Sequence, residues 1–275
     1  VKDKKTKLLS ALMMVLMLIQ LLSCASSKSE VGGTTVASKA YQEHNLMGTL
    51  WAKYSGEWRA LSYQAYNVAR EQLDHLLKKY PANKIAIVAD LDETVLDNVE
   101  YQVRNIKNDR SYDPATWAAW VAEANAKTMP GALGFFNYAK QKGVKYFFLS
   151  NRKVGEGADT VKNLQTLGFK FEADQMLLRE KDRSKQPRRD SVAKNYSKIM
   201  YLGDNLSDFS VIFDDKKMPE RKAAVDQVEK KFGNEYIVLP NPMYGDWEGA
   251  LYDFNMKMSD KEKAQMRFKL LDGEN

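Results

Sequence analysis

The sequence predicts an α/β fold, a parallel sheet with helices on both faces. Three observations predict it. Short apolar runs over residues 85–89, 144–149 and 199–202 each stop on polar or acidic residues, the mark of buried strands. Longer stretches with apolar residues at helical spacing separate them. Two of the runs end in aspartate, as Asp90-Leu91-Asp92 and Gly203-Asp204-Asn205. Open α/β sheets bind their ligands just past the carboxyl ends of strands.

The other elements follow in order. Leu46, Leu50, Tyr54, Ala60, Leu61, Ala65, Val68, Leu73, Leu76 and Leu77 recur at helical spacing over 41–80, with a break expected at Ser55-Gly56. Trp51, Trp58, Tyr63 and Tyr66 read as core aromatics of this stretch, and Pro81 ends it. Residues 102–112 read as a polar connection. Asp113 then caps a helix over 114–125 with Pro114 in its first turn. Met129-Pro130-Gly131 opens a helix over 132–141, closed by Gly143. A helix over 159–167 stops at Gly168, and 175–179 is a short strand. A helix over 219–232, a strand over 235–239 and a charged helix over 253–271 complete the chain.

Composition excludes several chemistries. The single cysteine, Cys24, rules out a disulfide within the chain and a thiol nucleophile in the folded domain. The only histidines, His44 and His75, offer neither an Arg-His-Gly arrangement nor a His-rich zinc site. The formal charge is +6; Lys2, Lys4, Lys5 and Lys7 against Asp3 leave +3 in the first 23 residues, so the remainder carries about +3. No basic stripe is long enough to argue for nucleic acid. A hydrophobic content of 44% suffices for a sizeable core. Carboxylates remain as the reactive groups.

The first 24 residues read as a secretion signal. Basic residues 2–7 precede an apolar run, 8–22, too short to span a bilayer comfortably. Leu21-Leu22-Ser23-Cys24 resembles a lipobox, so cleavage after residue 23 would leave Cys24 lipidated and the protein anchored to the bacterial envelope. Ala25 after the cysteine resembles lipoproteins sent to the outer membrane of a Gram-negative host. Residues 24–40, rich in Ser, Gly, Thr and Lys, read as a flexible tether to a domain over 41–275.

The central stretch, VADLDETVLDNVEY over 88–101, and the later IMYLGDNLSDF over 199–209 resemble the paired signatures of the class C acid phosphatases, and most of all the lipoprotein e (P4) family of 5′-nucleotidases. These are "DDDD" phosphohydrolases of the haloacid dehalogenase superfamily. The resemblance implies a haloacid-dehalogenase-like sheet, a small α-helical cap inserted around 102–128 and an N-terminal helical layer. It makes Asp90 the nucleophile and Asp92 the acid/base, which protonates a leaving alcohol and then deprotonates water. Thr94 falls in the same motif as a phosphate-side residue. Ser150 matches the second motif, with Asn151 as a helper. Lys185 matches the third-motif lysine, with Lys181 as the alternative because short insertions shift the register there. A cation is needed because a carboxylate attacking a phosphate dianion meets its own charge. Asp204 and Asp208 complete the four aspartates. Asp90 and Asp204 through side chains, and Asp92 through its main-chain oxygen, would hold Mg²⁺, with Asp208 acting through water or orienting the others. Asn241-Pro242-Met243-Tyr244-Gly245-Asp246-Trp247-Glu248 resembles the family's Asn-x-x-Tyr-Gly-x-Trp-Glu loop. Tyr244 and Trp247 are candidates to stack on a nucleobase, with Tyr101 or a cap tryptophan, Trp117 or Trp120, opposite. The implied substrates are phosphomonoesters, among them 5′-nucleotides including nicotinamide mononucleotide, with an acidic optimum. A broad acid phosphatase or phosphotransferase, and a surface lipoprotein that only binds or adheres, are the rival readings. The resemblance also allows a homodimer, although no stretch of the sequence marks an interface.

Overall fold

The computed structural model describes residues 43–255 and 257–273. The signal segment, the Cys24 lipobox and the tether lie outside the described residues. The sheet is parallel and five-stranded. Its strands are β1 (Ile85–Ala89), β4 (Lys145–Lys153), β5 (Met176–Arg179), β6 (Lys198–Gly203) and β7 (Tyr236–Val238), in the order β5-β4-β1-β6-β7. A two-residue antiparallel pair, β2 (Leu96–Asp97) with β3 (Lys127–Thr128), stands apart from it.

Strand β1 is central because every one of its residues is buried and its side chains feed two cores. Ile85, Ile87 and Ala89 join the larger cluster, while Ala86 and Val88 join Phe147, Leu149 and Val192 on the other face. Period-two alternation divides the side chains in this way. The helices follow the division. α1 (Leu46–Tyr54), α2 (Gly56–Leu77), α5 (Ala132–Gln141) and α6 (Gly157–Thr166) supply the larger cluster; α7 (Gln186–Ala193) brings Val192 to the second. α8 (Met218–Gln227) closes a third cluster of Phe209, Phe213, Ala224 and Tyr236.

Helix α2 buries Trp58, Ser62, Ala65, Tyr66, Ala69 and Leu73, one stripe at steps of three and four. It begins where the sequence expects its break, with Ser55 accepting from the Trp58 N–H. Two polar tips on that stripe reach loops that matter below. The Tyr66 hydroxyl donates to the Thr94 carbonyl at 2.6 Å, and Trp58 Nε1 donates to the Pro240 carbonyl at 3.3 Å.

Three elements differ from the sequence expectation. Residues 102–112 are not wholly a connection: α3 (Val99–Lys107) runs into them, started by Asp97, whose carboxylate accepts from the Val99 N–H, and held by buried Val99, Tyr101 and Asn105. The second strand does not stop at Leu149 but continues to Lys153, so Ser150, Asn151 and Arg152 are strand residues. The expected helix over 253–271 begins only at Asp260, as α10 (Asp260–Leu271), and a separate short helix, α9 (Asp246–Leu251), ends before that stretch. Asp253 and Phe254 take φ of 49° and 56°, which no right-handed helix permits, and a Ser259–Glu262 capping box restarts it. The helix expected over 114–125 is α4 (Pro114–Ala122), with the Asp113 carboxylate accepting from Ala115 and Thr116 N–H groups.

Candidate active site

The order β5-β4-β1-β6-β7 means that the chain steps outward from β1 to β4 and β5, then crosses back to β6 and β7. The crevice beyond the carboxyl end of β1 is therefore the switch point where such sheets bind ligands. Register delivers the residues there. Ala89 stands opposite Leu202 and Phe148 in the neighbouring strands, and the Asp90 N–H donates to the Leu202 carbonyl at 2.9 Å. Asp90, Ser150 and Asp204 thus emerge side by side.

Carboxylate oxygens of Asp90, Asp204 and Asp208 lie within 4.8 Å of one another. Lys185, the residue before α7, is buried beside them. Its Nζ donates to Asp90 Oδ1, and to Asp208 Oδ1 at 2.6 Å. Of the two lysines the sequence leaves open, Lys185 is the one at the cluster, and Lys181 is exposed. Asp208 Oδ2 accepts from the Asn205 N–H at 2.9 Å, so both its oxygens already take protein donors. It orients Lys185. Gly203 makes this approach possible: a Cβ there would fall 2.4 Å from the Asp208 side chain. Asp204 is held from two sides, by Thr94 Oγ1 at 3.2 Å and Asn241 Nδ2 at 2.8 Å.

The electrostatics are those of a site short of positive charge. Burial raises the Asp90 carboxyl above the usual range; Lys185 opposes this, and Asp208 and Asp92 add to it. Burial raises Asp204 well above its ordinary value, with Asp208 and Asp90 adding to the effect. Buried Glu93 is also pushed well up, first by desolvation and then by Asp92 and Asp204. One lysine does not balance this set. An all-oxygen cluster with surplus buried negative charge fits a hard divalent cation such as Mg²⁺.

Asp92 faces the other side of the crevice. Its carboxylate accepts from Arg152 Nη2 at 2.7 Å and Nε at 3.0 Å, from Asn98 Nδ2 at 2.9 Å, and from Ser150 Oγ at 3.5 Å. The extension of β4 explains this, because strand alternation puts Ser150 and Arg152 on one side and Asn151 on the other. Asn151 turns away from the crevice. It donates to the Arg183 carbonyl at 3.0 Å and accepts from Arg188 Nη2 at 2.7 Å.

Among the expected stacking residues, Tyr101 is 1% exposed, with its ring edge-on to Trp117 at 5.0 Å and its hydroxyl against Thr116. A ring without an open face packs and does not stack on a ligand. Trp117 and Trp120 are buried too, and Trp120 Nε1 donates to Asn98 Oδ1 at 2.8 Å. Trp247 is 40% exposed, its Nε1 bonded to the Tyr244 carbonyl, and Tyr244 is half-buried. Sequence reasoning missed three residues, Arg152, Asn98 and Asn241, which touch the aspartates. The alternation of β4 could have signalled Arg152; Asn98 and Asn241 lie inside the resembling 88–101 and 241–248 stretches, where neither was given a role.

A strand-end aspartate pair, a buried lysine and a metal-fitting carboxylate cluster on this sheet define a phosphohydrolase-type site. The family described as HAD superfamily, subfamily IIIB (Acid phosphatase), matches residues 9–247, and the chain belongs to it. Among solved structures, the class C acid phosphatase from Bacillus anthracis is 41% identical, with a TM-score of 0.81, covering 86% of this chain and 99% of that one. The same enzyme with tungstate bound superposes equally well. Two Glycine max proteins, the stem 28 kDa and 31 kDa glycoproteins, are each 26% identical over 165 residues. Those matches span 57% of this chain but only 62% and 54% of the relatives' own lengths.

Proposed function

We propose that this chain is an acid phosphomonoesterase that transfers the phosphoryl group to Asp90 and then to water. The observation that carries the reading is the pairing of Asp90 with Lys185 at the end of β1, two residues before a carboxylate aimed from the other side. The Asp90 oxygen bonds to phosphorus as the ester bond breaks, and Asp92 gives its proton to the leaving oxygen. Water then attacks phosphorus, Asp92 takes the proton, and Asp90 is released. Lys185 offsets charge on the attacking carboxylate, and the Ser150 hydroxyl faces the same crevice. Asp90 and Asp204 would hold Mg²⁺ through their side chains, with the Asp92 main-chain oxygen expected to join them and Asp208 acting through water or by orienting Lys185; when bound, the ion would supply charge stabilisation at the phosphoryl oxygens.

The finer reading is a preference for 5′-nucleotides, including nicotinamide mononucleotide, at the bacterial envelope through a lipid on Cys24. The exposed face of Trp247 and the half-buried Tyr244 support the nucleotide preference; the lipobox resemblance supports the anchor. Phosphate release from a 5′-nucleotide at about pH 5–6, with Asp90→Asn and Asp92→Asn beside the wild type, tests the mechanism. Both variants should lose turnover, and activity surviving in Asp90→Asn would refute the aspartyl-phosphate route. Comparing nucleotides with aryl phosphates, with and without an acceptor alcohol, decides the substrate class.

A further inference from the structure

Arg152 has no part in the chemistry above, yet its side chain is 1% exposed. An always-charged guanidinium is rarely buried without a defined task. Its donors converge on one group. Nε lies 3.0 and 3.2 Å from the two Asp92 oxygens, and Nη2 lies 2.7 Å from Oδ1. The rest of the guanidinium is braced. Nη1 donates to Thr160 Oγ1 at 3.0 Å, Nη2 reaches Asn98 Oδ1 at 3.4 Å, and the group sits 5.5 Å from the centroid of the Trp117 ring. Asn98, fully buried, makes the second half of the grip. Its Nδ2 donates to Asp92 Oδ1, its Oδ1 accepts from Trp120 Nε1, and its backbone N–H donates to buried Glu93. Trp117 and Trp120 both lie on α4. The carboxylate of Asp92 is thus held by residues that are themselves keyed to the helix beside the crevice.

We propose that Arg152 is a positioning residue: with Asn98 it fixes the Asp92 carboxyl where it meets the leaving oxygen, and α4 fixes the grip through Trp117 and Trp120. This rests on the reading of Asp90 as nucleophile and Asp92 as acid/base. In the first half-reaction the phosphorus–ester oxygen bond breaks and the Asp92 proton goes to that oxygen. In the second, a proton leaves the attacking water for Asp92 as the Asp90–phosphorus bond breaks. An alkoxide leaving group needs the first proton transfer, whereas p-nitrophenolate departs without one. Loss of Arg152 therefore slows phosphoryl transfer selectively for poor leaving groups and slows release of phosphate from Asp90 for every substrate. A merely structural arginine has no reason to distinguish the two esters.

The test is first-turnover release of the leaving group from a 5′-nucleotide and from p-nitrophenyl phosphate, using Mg²⁺-loaded Arg152→Met. Positioned acid catalysis contributes about 10²–10⁴-fold. The expected result is a fall of about 100-fold or more for the nucleotide and of less than about 5-fold for the aryl ester, with Asp92→Asn showing the same pattern. Arg152→Lys, which keeps the charge but not the fork, should fall between; it carries the comparison alone if Arg152→Met fails to fold. Equal falls on both esters in a folded variant would overturn the proposal. Asp90→Asn, run in parallel, separates this from the reading beneath it, since first-turnover release in that variant condemns the nucleophile assignment and not the leaving-group argument.

Discussion

Replacing Lys185 with methionine keeps the stem's bulk and removes the only cation that, among the described residues, touches Asp90 and Asp208. The lysine side chain is 7% exposed, and the two carboxylates are 9% and 5% exposed, so water cannot take its place. Breaking a buried ion pair from one side costs about 3–5 kcal/mol, because the remaining charge stays desolvated. For a domain of this size that is a melting shift on the order of 10 °C. The cost depends on pH, and the sign follows from Asp90. Burial already raises that carboxyl, and Lys185 is the group that opposes the rise. Without the lysine the folded-state value climbs further above the unfolded one. A carboxyl raised on folding favours the fold below its unfolded value and withdraws that stability as pH rises through its folded value. The deficit of Lys185→Met should therefore be larger near pH 8 than near pH 5, measured by urea unfolding in the presence of chelator. A saturating divalent cation should narrow it by restoring part of the missing charge. A deficit below about 1 kcal/mol at pH 8, or one that does not change with pH, would refute this account of the cluster.

The wild-type protein carries the same logic in weaker form. Asp90, Asp204 and Glu93 are all raised by burial, from ordinary values of 3.8 for the aspartates and 4.5 for the glutamate. In chelator the melting temperature should fall as pH climbs from about 5 to 8, and Mg²⁺ should flatten the slope; a flat profile in chelator would contradict the surplus negative charge. Asn241→Ala removes the donor at 2.8 Å from Asp204. It should weaken Mg²⁺ binding by about 10–100-fold by titration calorimetry while leaving turnover at saturating metal near wild type. Gly203→Ala puts a methyl group where the Asp208 side chain passes. We expect it to cost about 1–3 kcal/mol and to displace Asp208 from Lys185, read as lost turnover in a protein that still melts cooperatively.

What the sequence made legible divides along a physical line. Strand β1 is bounded at Ile85 and Ala89 as the apolar run predicts, because all five residues are buried and no polar position blurs either end. Helix α3 was illegible for the opposite reason: of its nine residues, VEYQVRNIK, only Val99, Tyr101 and Asn105 are buried, too few to stand out against the polar ones. The aspartates were visible because motif residues travel together along the chain. Their partners do not. Arg152 lies 60 positions from Asp92, Asn241 lies 37 from Asp204, and Lys185 lies 95 from Asp90. Of these, Lys185 was recoverable through family resemblance, and Asn241 stood at the head of the resembling loop without a role; strand register, not local pattern, brings Arg152 in. The polar run Ser150-Asn151-Arg152 reads naturally as a turn, since those residues favour turns. It is a strand because the half-buried Asp92 carboxylate on one side and Arg188 on the other each reward an alternating presentation. Asp92 therefore has its geometry from a strand whose identity the local sequence argues against. That conflict between local preference and tertiary outcome is expected where side chains are placed for chemistry.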